Sequence, residues 1–129
     1  MSLPPANPVT PSNEAPGLLI EKDVNLKPYN TFGLPAVARR LVRIREAADV
    51  RRVVDHPDLG RAPKFVLGGG SNLVFTRDPQ ALVLKIEVPG IRLVETRDDA
   101  WIVEAGAGER WHDVVAWTLA HDLPGLENM

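Results

Sequence analysis

Phe65-Val66-Leu67-Gly68-Gly69-Gly70-Ser71-Asn72 is the stretch on which the reading of this chain turns. Three apolar residues end abruptly in three glycines, the pattern of a buried strand that delivers its carboxyl end into a tight loop. Consecutive glycines are costly in chain entropy, so they are best explained where backbone takes positive φ or approaches something closely. Successive N–H groups in such a turn form a concave nest for an anion, and Ser71 and Asn72 place a hydroxyl and a carboxamide at its rim. A pyrophosphate suits that geometry, although a plain tight turn between two strands also accounts for the glycines. Two named phosphate loops do not fit. The dinucleotide fingerprint finds its first two glycines here and an acidic candidate, Glu87, about 20 residues further on. Its third glycine position, however, is Leu73, and Leu73-Val74-Phe75 reads as strand, so no helix N-terminus faces the phosphates. The nucleotide-triphosphatase loop needs Gly-Lys followed by Ser or Thr, and Gly70 is followed directly by Ser71.

Upstream of the loop, Val37 to Ile44 reads as a strand. Ala47, Val50, Val53 and Val54 then fall on one helical face, with Glu46 suited to the first-turn dipole and Pro57 closing the helix. Asn25 to Pro35 spaces Asn, Pro and Gly for loop and turn, and order is expected to begin near Leu18-Leu19-Ile20. Residues 1–17 carry Pro4, Pro5, Pro8, Pro11 and Pro16 among small polar residues, which predicts a disordered tail before a domain spanning 18–129.

Downstream, strands are predicted at Leu73 to Phe75, Leu82 to Ile86, Ile91 to Glu95 and Trp101 to Ala105. Turn signals separate them at Asp78-Pro79, Pro89-Gly90 and Asp98-Asp99, and the last three strands read as an antiparallel meander. Glu109 to His121 repeats at helical period through Trp111, Val114, Val115, Thr118 and Leu119, and Pro124-Gly125 ends it. That stripe places Trp111 in a core. His112 and Asp113 are adjacent on the helix and diverge by about 100°, so they read as a solvated face and not as an acid–base pair. The order βαβ, then β, then α predicts an α+β fold, a mixed sheet with helices against it.

With 129 residues and 44% hydrophobic side chains the chain has material for one core. A net charge of -2 supplies no field for a polyanion, so nucleic acid is not an expected partner. No apolar run reaches the roughly 20 residues of a membrane helix, and no basic-then-apolar leader opens the chain, so a soluble, cytoplasmic protein is expected, without a membrane partner. The absence of cysteine removes disulfides and thiol chemistry, and His56, His112 and His121 are too scattered for a metal site.

Four blocks carry a resemblance: Asn30-Thr31-Phe32-Gly33; Leu67-Gly68-Gly69-Gly70-Ser71-Asn72; Glu104-Ala105-Gly106-Ala107-Gly108-Glu109 with Trp111-His112; and Pro124-Gly125-Leu126-Glu127-Asn128. In this order and spacing, from about Leu26 to Met129, the chain resembles the UDP-N-acetylenolpyruvoylglucosamine reductases. The resemblance implies the FAD-binding fold of the vanillyl-alcohol-oxidase / p-cresol-methylhydroxylase type, with this chain supplying its first subdomain and the start of the second. It also implies that Gly68, Gly69, Gly70, Ser71 and Asn72 cradle the FAD pyrophosphate. The Asn30 block reads, from its residues, only as a turn with one aromatic anchor.

For the family as a whole the resemblance implies two hydride steps, from NADPH to FAD and from reduced flavin to the enolpyruvyl group of a UDP-sugar, giving UDP-N-acetylmuramate for peptidoglycan synthesis. The enolate so formed needs electrostatic stabilisation and a proton. In the family a serine, a glutamate and an arginine provide these, from positions beyond the equivalent of Met129, so no catalytic residue is expected in this chain. Another FAD-dependent oxidase or dehydrogenase of the same fold, and a non-catalytic binding module, are the competing expectations.

Overall fold

The computed structural model describes residues 17–129, so the predicted tail lies, save Gly17, outside the described residues. Strands β1 (Leu19–Asn25) and β2 (Val37–Ile44) pair antiparallel, and helix α1 (Ala47–Asp55) follows. Strands β3 (Lys64–Leu67) and β4 (Leu82–Ile86) complete a four-stranded sheet of order β1-β2-β4-β3, in which β2, β4 and β3 are parallel. A separate antiparallel hairpin, β5 (Ile91–Thr96) and β6 (Trp101–Ala105), precedes helix α2 (Trp111–Ala120). Among the described residues no helix is long and apolar enough to cross a membrane.

Successive residues of a strand face opposite ways, and both faces of this sheet are covered. Leu41, Leu67 and Val83 join Leu26, Ala36 and Ala38 in one buried cluster, roofed by Tyr29, Leu73 and Phe75 from two loops. Val42, Ile44, Leu82 and Leu84 face the other way, against Val53 of α1 and Leu59. Leu82-Val83-Leu84 is therefore apolar without alternation because β4 is buried on both faces, as parallel strands are.

That burial corrects the predicted meander. β4 lies between β2 and β3, and of the three strands of the predicted meander only β5 and β6 pair with each other. The segment Leu73 to Phe75 is likewise no strand; Leu73 and Phe75 point inward without a backbone ladder, Phe75 meeting Phe65 at 6.1 Å between ring centroids. β3, expected to be buried, is an edge strand, so Val66 is 65% exposed while Leu67 is buried.

In α1 the buried pair is Asp49 and Val53, at i and i+4, so Val50 and Val54 lie about 100° further round and are exposed. The helix leans on the sheet through one valine and not the predicted stripe. In α2 the buried pair is Val114 and Thr118. Trp111 sits in the first turn, half exposed, with its indole N–H donating to the Met129 carbonyl at 3.4 Å, and Leu119 is half exposed as well. The core role predicted for Trp111 is not what the fold gives it.

The Glu104–Glu109 block ties the segment that leaves the hairpin to the one that enters it from β4. The Gly106 N–H donates to the Gly90 carbonyl at 2.7 Å, the Gly108 N–H to the Val88 carbonyl at 2.8 Å, and Glu109 accepts from the Gly90 N–H at 2.7 Å. A Cβ on Gly106 would sit 2.3 Å from the Val88 carbonyl oxygen, so that position requires glycine by close approach.

Candidate cofactor site

Ligands of parallel sheets gather at the carboxyl ends of the strands, and the glycine loop begins where β3 ends. Its three glycines are not equivalent. Gly70 takes φ +70°, and a Cβ there would lie 2.0 Å from the Tyr29 carbonyl oxygen and 2.9 Å from Asn30 Cα. Nothing lies within 4 Å of a Cβ built on Gly68 or Gly69. Gly70 is thus glycine because of the protein behind it, while Gly68 and Gly69 face open space. Ser71 and Asn72 are exposed beside them. Of the five expected residues, Gly69, Ser71 and Asn72 form an exposed rim, with Gly68 half-buried and Gly70 buried among them.

The loop has a buttress that the residue reading missed. Asn30 is buried and folds the segment around it: its amide nitrogen donates to the carbonyls of Leu26 at 2.9 Å and Leu34 at 3.0 Å, and its side-chain oxygen accepts from the Leu34 N–H at 2.9 Å. The next amide, Thr31 N–H, donates to the Gly70 carbonyl at 3.0 Å. The supposed aromatic anchor, Phe32, is 63% exposed. The block is anchored by its asparagine, the residue type that mimics backbone in turns, and its task is to hold the glycine loop.

A charged cluster adjoins the same loop. The register aligns Arg43 of β2 with Lys85 of β4, and Lys85 with Leu67 of β3. Arg43 donates to Glu21 at 2.7 Å, to the Tyr29 hydroxyl at 2.9 Å and to Glu87. Burial opposes its charge, but the bonds to Tyr29 and Glu21 outweigh burial and hold the guanidinium above its ordinary pKa. The Lys85 ammonium donates to the Gly68 carbonyl at 2.7 Å and lies 5.9 Å from the centre of the Tyr29 ring. Burial pushes its pKa below the ordinary lysine value; Glu87 opposes that shift and Arg43 adds to it. Glu87, the acidic candidate weighed above for the dinucleotide fingerprint, is thereby placed as a partner of Arg43. The signal for Lys85 was in the chain, since it interrupts an otherwise apolar strand near its carboxyl end, whereas Arg43 is one of three arginines in β2 and nothing local singles it out.

A family profile described as an FAD binding domain matches residues 38–128. The chain belongs to this FAD-binding domain family. It is 56% identical over 121 residues to the UDP-N-acetylenolpyruvoylglucosamine reductase of Azoarcus sp. (strain BH72), covering 91% of this chain and 35% of that protein. It is 51% identical over 122 residues to the reductase of the same name from Burkholderia orbicola (strain MC0-3), covering 95% of this chain and 34% of that protein. A crystal structure of UDP-N-acetylenolpyruvylglucosamine reductase from Thermus caldophilus matches with a TM-score of 0.61 at 25% identity, over 85% of this chain and 36% of that one. The chain thus spans about a third of the length of the curated relatives it matches.

The residues present in this FAD-binding domain fit a dinucleotide pyrophosphate. Two glycines offer their bare faces outward, the third locks the turn from behind, and a hydroxyl and a carboxamide flank them. Such a nest binds anions through backbone N–H groups, with no lysine-bearing phosphate loop or helix N-terminus required.

Proposed function

We propose that Gly68, Gly69, Gly70, Ser71 and Asn72 hold the FAD pyrophosphate in an NADPH-dependent reductase that converts UDP-N-acetylglucosamine enolpyruvate to UDP-N-acetylmuramate, a cytoplasmic step of peptidoglycan synthesis. The observation that carries the reading is the division of labour among the glycines: Gly70 barred from a side chain by Tyr29, Gly68 and Gly69 open. The similarity to the named reductases supports the substrate. When bound, FAD supplies hydride chemistry between NADPH and the enolpyruvyl double bond. This chain's part is to bind and orient: the loop amides take the phosphate charge, Gly70 fixes the turn, and the Asn30 segment holds the loop against the sheet. Reduction also needs a stabiliser for the enolate and a proton donor, and none of the residues described here is assigned either task.

The test mixes the 129-residue chain with FAD, NADPH and the enolpyruvyl sugar and follows NADPH absorbance, beside an otherwise identical chain extended to the length of its relatives. Substrate-dependent oxidation is expected in the longer protein alone. A comparable rate in the short chain would overturn the absence of catalytic groups from it. NADPH oxidation by the long chain that ignores the UDP-sugar would favour another flavin oxidase or dehydrogenase.

A further inference from the structure

We propose that Lys85 is a positioning residue for the pyrophosphate loop: by holding the Gly68 carbonyl it turns the Gly69 N–H outward as an anion donor. The proposal rests on the reading of Gly68–Asn72 as the pyrophosphate site and adds a residue to it.

The argument begins with the peptide bond. In a trans peptide the C=O and the following N–H point in opposite directions, and none of the peptide bonds here is cis. The Gly68 carbonyl is held toward the sheet by the Lys85 ammonium at 2.7 Å, so the Gly69 N–H points away from it. The Gly70 carbonyl is held by the Thr31 N–H at 3.0 Å, so the Ser71 N–H points away from that buttress. Two alternate peptide planes are therefore clamped from behind. Alternate amides aimed at one side are the donors of a nest.

Charge gives the second observation. Arg43 and Lys85 are register partners on adjacent strands, and like charges placed so repel. Arg43 is neutralised by Glu21 and Glu87. Lys85 makes no ion pair with a carboxylate among the described residues; its direct partner is a neutral carbonyl of the loop. Glu87 attracts the Lys85 ammonium more than Arg43 repels it, and what disfavours the charge is its partial burial. A cation kept half-buried behind the loop, with a neutral carbonyl as its direct partner, is accounted for by an anion on the far side of the loop, which the ammonium attracts while its hydrogen bond aims the amide.

The test removes that charge. FAD is titrated into the 15N-labelled chain, and into its Lys85→Met and Lys85→Arg variants, with thermal midpoints measured in parallel. FAD is expected to shift the Gly69 and Ser71 amide resonances of the unaltered protein. Lys85→Met removes a partly buried charge and keeps an apolar stem of similar length, so the variant should stay folded with a midpoint within a few degrees of the original, while its FAD dissociation constant rises about tenfold, the worth of one charge-assisted hydrogen bond. The Gly69 shift should shrink and that of Ser71 persist. Lys85→Arg keeps a charged donor and should stay within about threefold of the original affinity. Undiminished binding by a folded Lys85→Met overturns the role of Lys85 and leaves the loop assignment standing. Absence of any FAD-dependent shift at Gly69–Asn72 in the unaltered protein overturns the loop assignment, and this inference with it.

Discussion

At the scale of single residues, the three glycines separate what folds the loop from what the loop offers. Gly70 combines φ +70° with a Cβ position 2.0 Å from a backbone oxygen. Alanine there meets both left-handed strain, about 1–2 kcal/mol, and a backbone clash, for a total on the order of 3 kcal/mol or more. Gly69 has open space, and alanine there should alter stability by no more than about 0.5 kcal/mol. Thermal melts of the two variants check the contrast: a large loss of midpoint for Gly70→Ala and almost none for Gly69→Ala. Equal melting of the two would mean the loop is not built as described. The glycine run was legible as a loop, but which glycine faces protein was not, because the obstructing atom belongs to Tyr29, 41 positions earlier in the chain. Asn30 was missed for a related reason. A buried asparagine and an exposed turn asparagine look alike in sequence; only its three hydrogen bonds distinguish them.

At the scale of elements, α1 shows how electrostatics compensates for a thin apolar face. Asp49 is buried, with one carboxylate oxygen accepting from the Arg45 and Glu46 N–H groups at 2.9 and 3.3 Å and the other from Arg52 at 2.6 Å. Burial by itself raises the pKa of this carboxyl, but the Arg45 amide and the Arg52 guanidinium outweigh burial and the net displacement is downward. A depressed carboxyl pKa stabilises the fold above the unfolded value of about 3.9, and that contribution disappears as pH falls through the folded value. Asp49→Asn should therefore cost about 1–2 kcal/mol at neutral pH. The difference from the unaltered protein should shrink steadily below about pH 4. Urea titrations at several pH values measure it, and a difference that grows on acidification would contradict the assignment. The existence and bounds of most elements were readable because their periodicity is local: the predicted Val37 to Ile44 coincides with β2. The partner of β4 was not readable. Its unbroken apolar run signals burial on both faces, but pairing with β2 and β3 is set by a crossover through residues 68–81 that leaves no local pattern.

At the scale of the whole molecule, the apolar burial is unevenly shared. Both buried clusters belong to the four-stranded sheet, its roofing loops and α1. The hairpin presents Leu93, Val94, Trp101 and Ile102 to solvent, and α2 buries Val114 and Thr118 while leaving Trp111 and Leu119 half exposed. A two-stranded hairpin is marginal by itself, and elements with few buried apolar groups open before the core that they adjoin. All three tryptophans, Trp101, Trp111 and Trp117, lie in β6 and α2, so indole emission reports on this less-buried part. The amides of Val42 and Val83 lie in the middle of the sheet and report on the core. In a urea titration the emission change should come first, with its midpoint separated from the loss of the Val42 and Val83 amide signals by a stability difference of at least about 2 kcal/mol. Coincident transitions would mean that the glycine-mediated hydrogen bonds at Gly90, Gly106 and Gly108 couple hairpin, helix and sheet into one cooperative unit. The separation expected here follows from their number and position: backbone bonds at one junction, each of a net worth near 1 kcal/mol, against a sheet buried on both sides.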